Sequence, residues 1–295
     1  MKHFIDLDDL DPDILKEILQ EAHVMKREKF SPPQIFKGLS MALMFDKRST
    51  RTRISFDVAM KQLGGHSVML NKEDIHLGAT ETIQDTANVI SRFVDVAVIR
   101  VSSHDTLLEM AKHSSIPIVN AMTDHSHPCQ TMADIMTIEE KLGSAAGKKI
   151  AWFGDFTNVT ISLAQVAKVF DYDMVIAAPE EGLALQRDFD RVSFTDDAVA
   201  AAKDADVIVT DTWESMGQEG KTLDPFMPYQ VNANLMKHAK DTAIFMHCMP
   251  MHRGDEVTNQ VADSAQSVVY DEAENRLHVQ KSILAYCLED VPVQV

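Results

Sequence analysis

Short apolar runs alternate with helical segments along the whole chain, and this alternation constrains the fold more than any other feature. Leu39–Phe45, His66–Leu70, Val96–Val101, Ile116–Asn120, Lys149–Phe153, Asp173–Ala178, Arg191–Phe194, Val207–Asp211 and Ala243–Cys248 read as strands. Near-continuous apolar strands separated by helices indicate parallel sheets covered on both faces. Gly143-Ser144-Ala145-Ala146-Gly147 is the one clear small-residue linker. The expectation is an α/β chain of two doubly wound parallel-sheet domains. Residues 1–142 form one, joined by a C-terminal helix at 271–295, and residues 148–270 form the other. A length of 295 residues accommodates both.

Helix signals mark the intervening segments. Asp11 and Pro12 make an N-cap and N1 pair, and Leu15, Ile18, Leu19, Ala22 and Met25 give one apolar face. A helix capped by Ser49 runs from Thr50 to the glycine stop at Leu63-Gly64-Gly65. Residues 71–79 read as a polar loop, followed by a helix over about Thr82–Phe93. Asp105 is expected to cap a helix over Thr106–His113. Pro128 starts a helix ending near Leu142, and the last helix spans about Asp271–Leu288.

Composition excludes several function classes. Hydrophobic content of 45% and charged content of 25% are those of a soluble globular protein. No window approaches 18 apolar residues, so no membrane span is expected. Met1–Asp6 lacks signal-peptide character and is too acidic for a transit peptide. Three scattered cysteines, Cys129, Cys248 and Cys287, argue for a reducing compartment, and a cytoplasmic location is expected. A net charge of −17 disfavours nucleic acid and anionic membranes as partners. Small-molecule substrates remain.

Against that acidic background, Lys47, Arg48, Arg51 and Arg53 fall within seven residues, directly after the first strand. Helix N-termini collect anions, so Phe45–Arg53 reads as a phosphate site; charge alone leaves a solvated basic turn equally open. Arg51 and Arg53, two apart, point about 200° from each other on a helix. Arg53 is expected to pair with Asp57 four residues on. That leaves Arg51, with the backbone and hydroxyls of Ser49–Thr52, for the anion.

Ligands of open parallel sheets bind beyond the carboxyl ends of the strands, with a cleft between the domains as the natural meeting place. The unusual polar residues fall at that edge. Arg100 ends an apolar strand and needs an anion there, either a ligand or a carboxylate such as Asp105. His127 and Gln130, three apart behind Pro128, suit a carbonyl bearing an NH2 group. Zinc held by His125, His127 and Cys129 is the alternative, at a spacing uncommon for that metal. Gly154-Asp155-Phe156-Thr157-Asn158 follows a strand but lacks the dinucleotide glycine pattern, which argues against a nicotinamide cofactor. Asp211 could hold a substrate ammonium, and His247-Cys248-Met249-Pro250 puts a thiol at the same edge.

Taken together, Ser49-Thr50-Arg51-Thr52-Arg53, His127-Pro128-Cys129-Gln130, Asp211 with Ser215-Met216-Gly217, and His247-Cys248-Met249-Pro250 resemble the motifs of the ornithine carbamoyltransferases. The resemblance covers nearly the whole chain, including Glu274-Asn275-Arg276. It implies transfer of the carbamoyl group of carbamoyl phosphate to the δ-amine of L-ornithine, giving L-citrulline and phosphate, a step of arginine biosynthesis or urea-cycle type. It implies no cofactor, no metal and a homotrimer or an assembly of trimers. Carried over, Ser49, Thr50, Arg51, Thr52 and Arg100 bind the phosphate, and His127, Gln130 and Arg276 hold the carbamoyl group. Cys248 and Met249 lie beside it. Asn158, Asp211, Ser215 and Met216 bind ornithine. Arg51, His127 and Cys248 are the implied catalytic groups. The family usually has Pro at Arg48, Gly and Asn at Phe156 and Thr157, Leu at Met249 and Ala at Met251.

The implied chemistry is electrostatic. The arginines and the helix N-terminus stabilise the leaving phosphate, and His127 donates to the carbonyl oxygen as charge grows there. A neutral amine attacks, and its proton leaves through phosphate or Cys248. Domain closure around both substrates is expected. The competing readings are a transcarbamylase for putrescine or an acylated ornithine, and a non-catalytic anion-binding relative.

Overall fold

The computed structural model describes residues 1–71, 81–184, 187–214, 220 and 222–289. The chain forms two compact units: Met1–Met136 with Glu274–Val295, and Thr137–Ala273.

In the first unit, α1 (Pro12–Arg27) precedes β1 (Ser40–Phe45), α2 (Arg51–Gln62), β2 (His66–Asn71), α3 (Ile83–Ile90), β3 (Val96–Arg100), α4 (His104–His113) and β4 (Ile118–Met122). Helix α5 (Pro128–Leu142) follows and crosses the unit boundary. The strands form a parallel sheet in the order β2-β1-β3-β4. The apolar residues of β1 and β3 are buried throughout because helices cover both faces. The Asp11 side chain accepts from the Asp13 amide at the start of α1, whose five expected core residues are all buried. Strand β2 is an edge and leaves Val68 and Met69 exposed.

The second unit continues with β5 (Lys149–Phe153), α6 (Asn158–Val166), β6 (Asp173–Ala177), α7 (Glu180–Leu183), β7 (Val192–Thr195), α8 (Ala198–Ala202) and β8 (Val207–Thr210). A 3-10 turn at Asp224–Tyr229 leads to α9 (Ala233–Met236), β9 (Ile244–His247), α10 (Asn259–Ala262) and α11 (Val269–Leu288). Its parallel sheet runs β7-β6-β5-β8-β9. Helix α11 crosses back, and its later turns pack in the first unit, where Ser282 Oγ donates to the Ile18 carbonyl of α1 at 2.6 Å. In each sheet the chain order reverses between two central strands, β1 and β3 in one and β5 and β8 in the other. Loops at such a reversal diverge and leave room for a ligand.

Three local expectations are corrected. Ser49 does not cap α2: the cap position is Thr50, whose side chain makes no capping bond. Asp105 lies inside α4, which Ser103 caps by accepting from the Thr106 amide at 3.2 Å. Asp57 is taken by Lys61 at 2.8 Å, and Arg53 turns instead to Asn71 Oδ1 at 2.7 Å and over the Phe45 ring. Of the polar loop at 71–79, residues 72–79 lie outside the described residues.

Helix α11 also buries His278, which is 1% exposed, with the Glu274 carboxylate 3.8 Å away. Burial, then the charges of Lys281 and Lys26, push its pKa down to about 4. The unfolded chain therefore binds this proton first. The contribution is complete above about pH 6.5 and is lost as pH falls toward 4. At 1.36 kcal/mol per pKa unit the full loss is about 3 kcal/mol. In urea unfolding at pH 7 and pH 4.5, His278→Gln should lose about 2 kcal/mol less stability than the parent.

Candidate active site

The loops after β1 and β3 are fastened to each other. Phe45 and Arg100 are register partners at the ends of these strands. The Asp46 amide donates to the Arg100 carbonyl at 3.0 Å, and the Asp46 carboxylate accepts from the Ser102 amide at 2.7 Å and hydroxyl at 3.0 Å. The chain then turns through exposed Arg48 into α2. With no capping bond from Thr50, the start of α2 presents N–H groups and the positive end of the helix dipole. Arg100, 9% exposed, reaches this turn and donates from Nη1 to Ser49 Oγ at 3.3 Å. From α11, Arg276 Nη2 donates to Thr52 Oγ1 at 2.6 Å, with both side chains buried.

His127 sits among these cations. It is 4% exposed, just before Pro128 starts α5. Burial, then Arg276, Arg100 and Arg51, hold its pKa well below the usual imidazole value. It is neutral at physiological pH and carries one N–H donor. Gln130, one turn on and equally buried, donates its Nε2 to Asp134 Oδ1 at 2.8 Å, which fixes how the amide points. The zinc alternative is not assembled. The His125 ring packs on His104 with centroids 4.8 Å apart, and Cys129 Sγ donates to the Asn120 carbonyl at 3.3 Å. Burial raises the Cys129 thiol to about 12, which keeps it protonated.

The second unit carries a different set. At the end of β5, Gly154 has φ +115°, and a Cβ there would lie 2.3 Å from Trp213 Nε1, so only glycine fits. Phe156 is buried against Phe194, with centroids 5.8 Å apart, and Thr157 caps α6, its amide donating to Thr160 Oγ1 at 3.1 Å. Asn158 is thus the first helical residue. Asp211, just past β8, accepts at Oδ1 from the Thr212 amide at 2.8 Å and from Cys248 Sγ at 3.0 Å. Behind Cys248, His247 is fully buried and held at three points. Its amide donates to Glu272 Oε2 at 2.9 Å, its Nδ1 accepts from the Met249 amide at 2.8 Å, and its Nε2 lies 3.1 Å from Glu256 Oε1. The Nδ1 acceptor role places the ring proton on Nε2, where it donates to Glu256. The loop Met249-Pro250, with Met249 at φ +58°, is built on that ring. Ser215 and Met216 lie outside the described residues.

Residues 2–140 match the family described as "Aspartate/ornithine carbamoyltransferase, carbamoyl-P binding domain", and residues 146–287 match its "Asp/Orn binding domain". The chain belongs to the aspartate/ornithine carbamoyltransferase family. It is 49% identical to the ornithine carbamoyltransferase of Brucella abortus (strain 2308), over 98% of this chain and 96% of the relative. It is 48% identical to that of Mesorhizobium japonicum, over 98% and 99%. The structure of the Pyrococcus furiosus ornithine carbamoyltransferase superposes with a TM-score of 0.93 at 42% identity, covering 99% of this chain and 98% of that one. The expected family and its two parallel-sheet domains are thus established.

Within this family fold, in the first unit Ser49 and Thr50 follow β1, Arg51 and Thr52 open α2, Arg100 ends β3, His127 follows β4, Gln130 lies on α5 and Arg276 on α11. In the second, Asn158 opens α6, Asp211 follows β8, and Cys248 and Met249 follow β9, with Cys248 bonded to Asp211. Two groups of the described residues bring potential metal-ligand atoms within 4.8 Å of one another: Asp211, His247 and Cys248, and His252, Asp255 and Glu256. Side chains in both already bond to protein partners. Asp134, Glu256 and Glu272 are supports that sequence reading missed. Glu256 and Glu272 work through fold-dependent contacts, whereas Asp134 pairs with Gln130 four residues before it on α5, a helical spacing that could have revealed it.

Glu256 accepts from both His247 Nε2 and the His252 amide, and is fully buried. Its truncation leaves the buried His247 Nε2 donor and the His252 amide without this acceptor. Glu256→Ala should cost about 2–4 kcal/mol of unfolding free energy in denaturant titration, and Glu256→Gln clearly less.

Proposed function

We propose that this carbamoyltransferase moves the carbamoyl group of carbamoyl phosphate to the δ-amine of L-ornithine, releasing L-citrulline and phosphate. The observation that carries the reading is a neutral His127 surrounded by Arg51, Arg100 and Arg276 at the uncapped start of α2. That setting suits a phosphate next to a carbonyl. The phosphate takes the guanidinium groups of Arg51 and Arg100, the hydroxyls of Ser49, Thr50 and Thr52, and the first amides of α2. His127 and Arg276 donate to the carbamoyl oxygen, where negative charge develops in the transition state. Gln130, its NH2 oriented by Asp134, offers its carbonyl to the carbamoyl NH2. Met249 borders the same group.

Asn158, Asp211, Ser215 and Met216 hold the amino-acid end of ornithine, the Asp211 carboxylate facing the ammonium. Cys248, held by Asp211, contacts the δ-amine. The amine attacks the carbonyl carbon as a free base, because an ammonium has no lone pair. The N–C bond forms, the C–O bond to phosphate breaks, and the departing phosphate takes up a proton from the nitrogen. Holding both substrates in contact supplies much of the acceleration.

The same reading gives a homotrimer or an assembly of trimers in the cytoplasm, serving arginine biosynthesis. Edge strand β2, with exposed Val68 and Met69, and exposed Ile54 on α2 support an assembled state. All three cysteines are free, and no described helix is long and apolar enough to cross a membrane.

A colorimetric citrulline assay decides. Saturating carbamoyl phosphate and ornithine should give citrulline and phosphate in equal amounts, with putrescine and N-acetylornithine turned over at least tenfold more slowly. No citrulline under these conditions ends the proposal. Arg100→Ala should raise the carbamoyl phosphate KM by roughly 10- to 100-fold, and Asp211→Asn should do the same to the ornithine KM alone.

A further inference from the structure

Residues 123–127 bring the chain from β4 to His127, and one closed ring of hydrogen bonds fixes this loop. The Thr123 amide donates to the Ser126 carbonyl at 3.0 Å. Thr123 Oγ1 accepts from the amides of His125 and Ser126, each at 3.3 Å. With both acceptor positions used, the Thr123 hydroxyl proton is directed at His104 Nδ1, 3.0 Å away. His104 Nε2 then donates to Asp6 Oδ2 at 3.2 Å. Asp6 Oδ1 accepts from Ser126 Oγ, which closes the ring one residue before His127. Asn120 Nδ2 adds bonds to Ser126 Oγ and to the Ile5 carbonyl, both at 3.0 Å.

The four side chains come from the N-terminal segment, the first turn of α4 and the loop itself. Thr123 and Ser126 are fully buried, and Asp6 is 8% exposed. The N-terminal segment is itself anchored. Phe4 bridges Val119, its amide donating to the Ile118 carbonyl at 2.9 Å and its carbonyl accepting from the Asn120 amide at 2.7 Å. Asp6 is therefore placed by the edge of β4 and in turn grips Ser126.

We infer that Asp6, His104 and Ser126 are positioning residues for carbamoyl transfer: their ring sets the loop that aims His127 at the carbamoyl oxygen. The inference rests on the role given to His127 above. An acceptor tied to a loop near the reacting centre matters because a displacement of about 1 Å there can cost up to about 100-fold in rate. Unlike a purely structural bond, the ring acts on one substrate's geometry. Its loss lowers turnover and spares ornithine binding.

The test compares Asp6→Ala, Ser126→Ala, His104→Ala and His104→Gln with the parent in full citrulline kinetics. Asp6→Ala, Ser126→Ala and His104→Ala should each lower kcat at least tenfold with the ornithine KM within twofold. His104→Gln keeps one acceptor and one donor and should stay within threefold of the parent. Ser126→Ala removes one hydroxyl and decides the matter if Asp6→Ala does not fold. Turnover within twofold of the parent in Ser126→Ala overturns the inference, as does an equal loss in His104→Gln and His104→Ala. His127→Ala is run alongside. Retained turnover there overturns the role of His127, whereas its loss together with a fully active Ser126→Ala overturns the ring alone.

Discussion

The hydrogen bond from Arg276 to Thr52 joins residues 224 apart in sequence and fixes the cationic site around itself. Burying a guanidinium is costly unless its donors are met. Thr52, fully buried in the first turn of α2, meets one of them at 2.6 Å. The bond ties the C-terminal helix to the start of α2 and holds a charge beside His127. Lys26 and Lys29 secure the same stretch of α11 through Asn275 at 2.6 Å and Glu274 at 3.1 Å. The charge of Arg276, with those of Arg100 and Arg51, opposes protonation of His127. A neutral donor among fixed cations is what a developing oxyanion next to a phosphate needs.

The two units have opposite electrostatic character at their strand ends. In the first, cations and hydroxyls dominate the turn, its one carboxylate, Asp46, is bonded to the Ser102 amide and hydroxyl, and Thr50 makes no capping bond at the helix start. In the second, Asp211 stands at the edge and Glu256 and Glu272 lie behind His247. The first matches an anion and the second an amine. That division follows the family's carbamoyl-P and Asp/Orn binding halves.

Much of this was legible in the sequence because it depends on local rules. Helix α5 begins at Pro128 and ends at Leu142 as read, since proline at N1 and glycine after the last turn are strong punctuation. The strands shift by only one or two residues, which places Asp211 and Cys248 just past β8 and β9. Arg53 was misread because Asp57 has two cations at helical spacing. The acid-before-base order of Asp57 and Lys61 is the better one, and the Phe45 ring draws Arg53 away. At α4, Ser103 and Asp105 are equally good caps by type, so sequence could not choose between them. Phe156 and Thr157, which depart from the family pattern, have packing and capping roles of their own that only Phe194 and Thr160 explain. The support at Glu256 needed the fold, because nothing in a linear pattern distinguishes a buried carboxylate from a solvated one; Asp134, four residues after Gln130 on α5, was readable from helical spacing.

The central claim is that His127 is held neutral by burial and by three arginines. The most direct measurement is a pH titration of its ring resonances by NMR in the ligand-free enzyme, assigned with His127→Gln. The expected result is a neutral imidazole across pH 5.5 to 8, with no midpoint in that range. A normal titration with a midpoint near 6.5 would contradict the account.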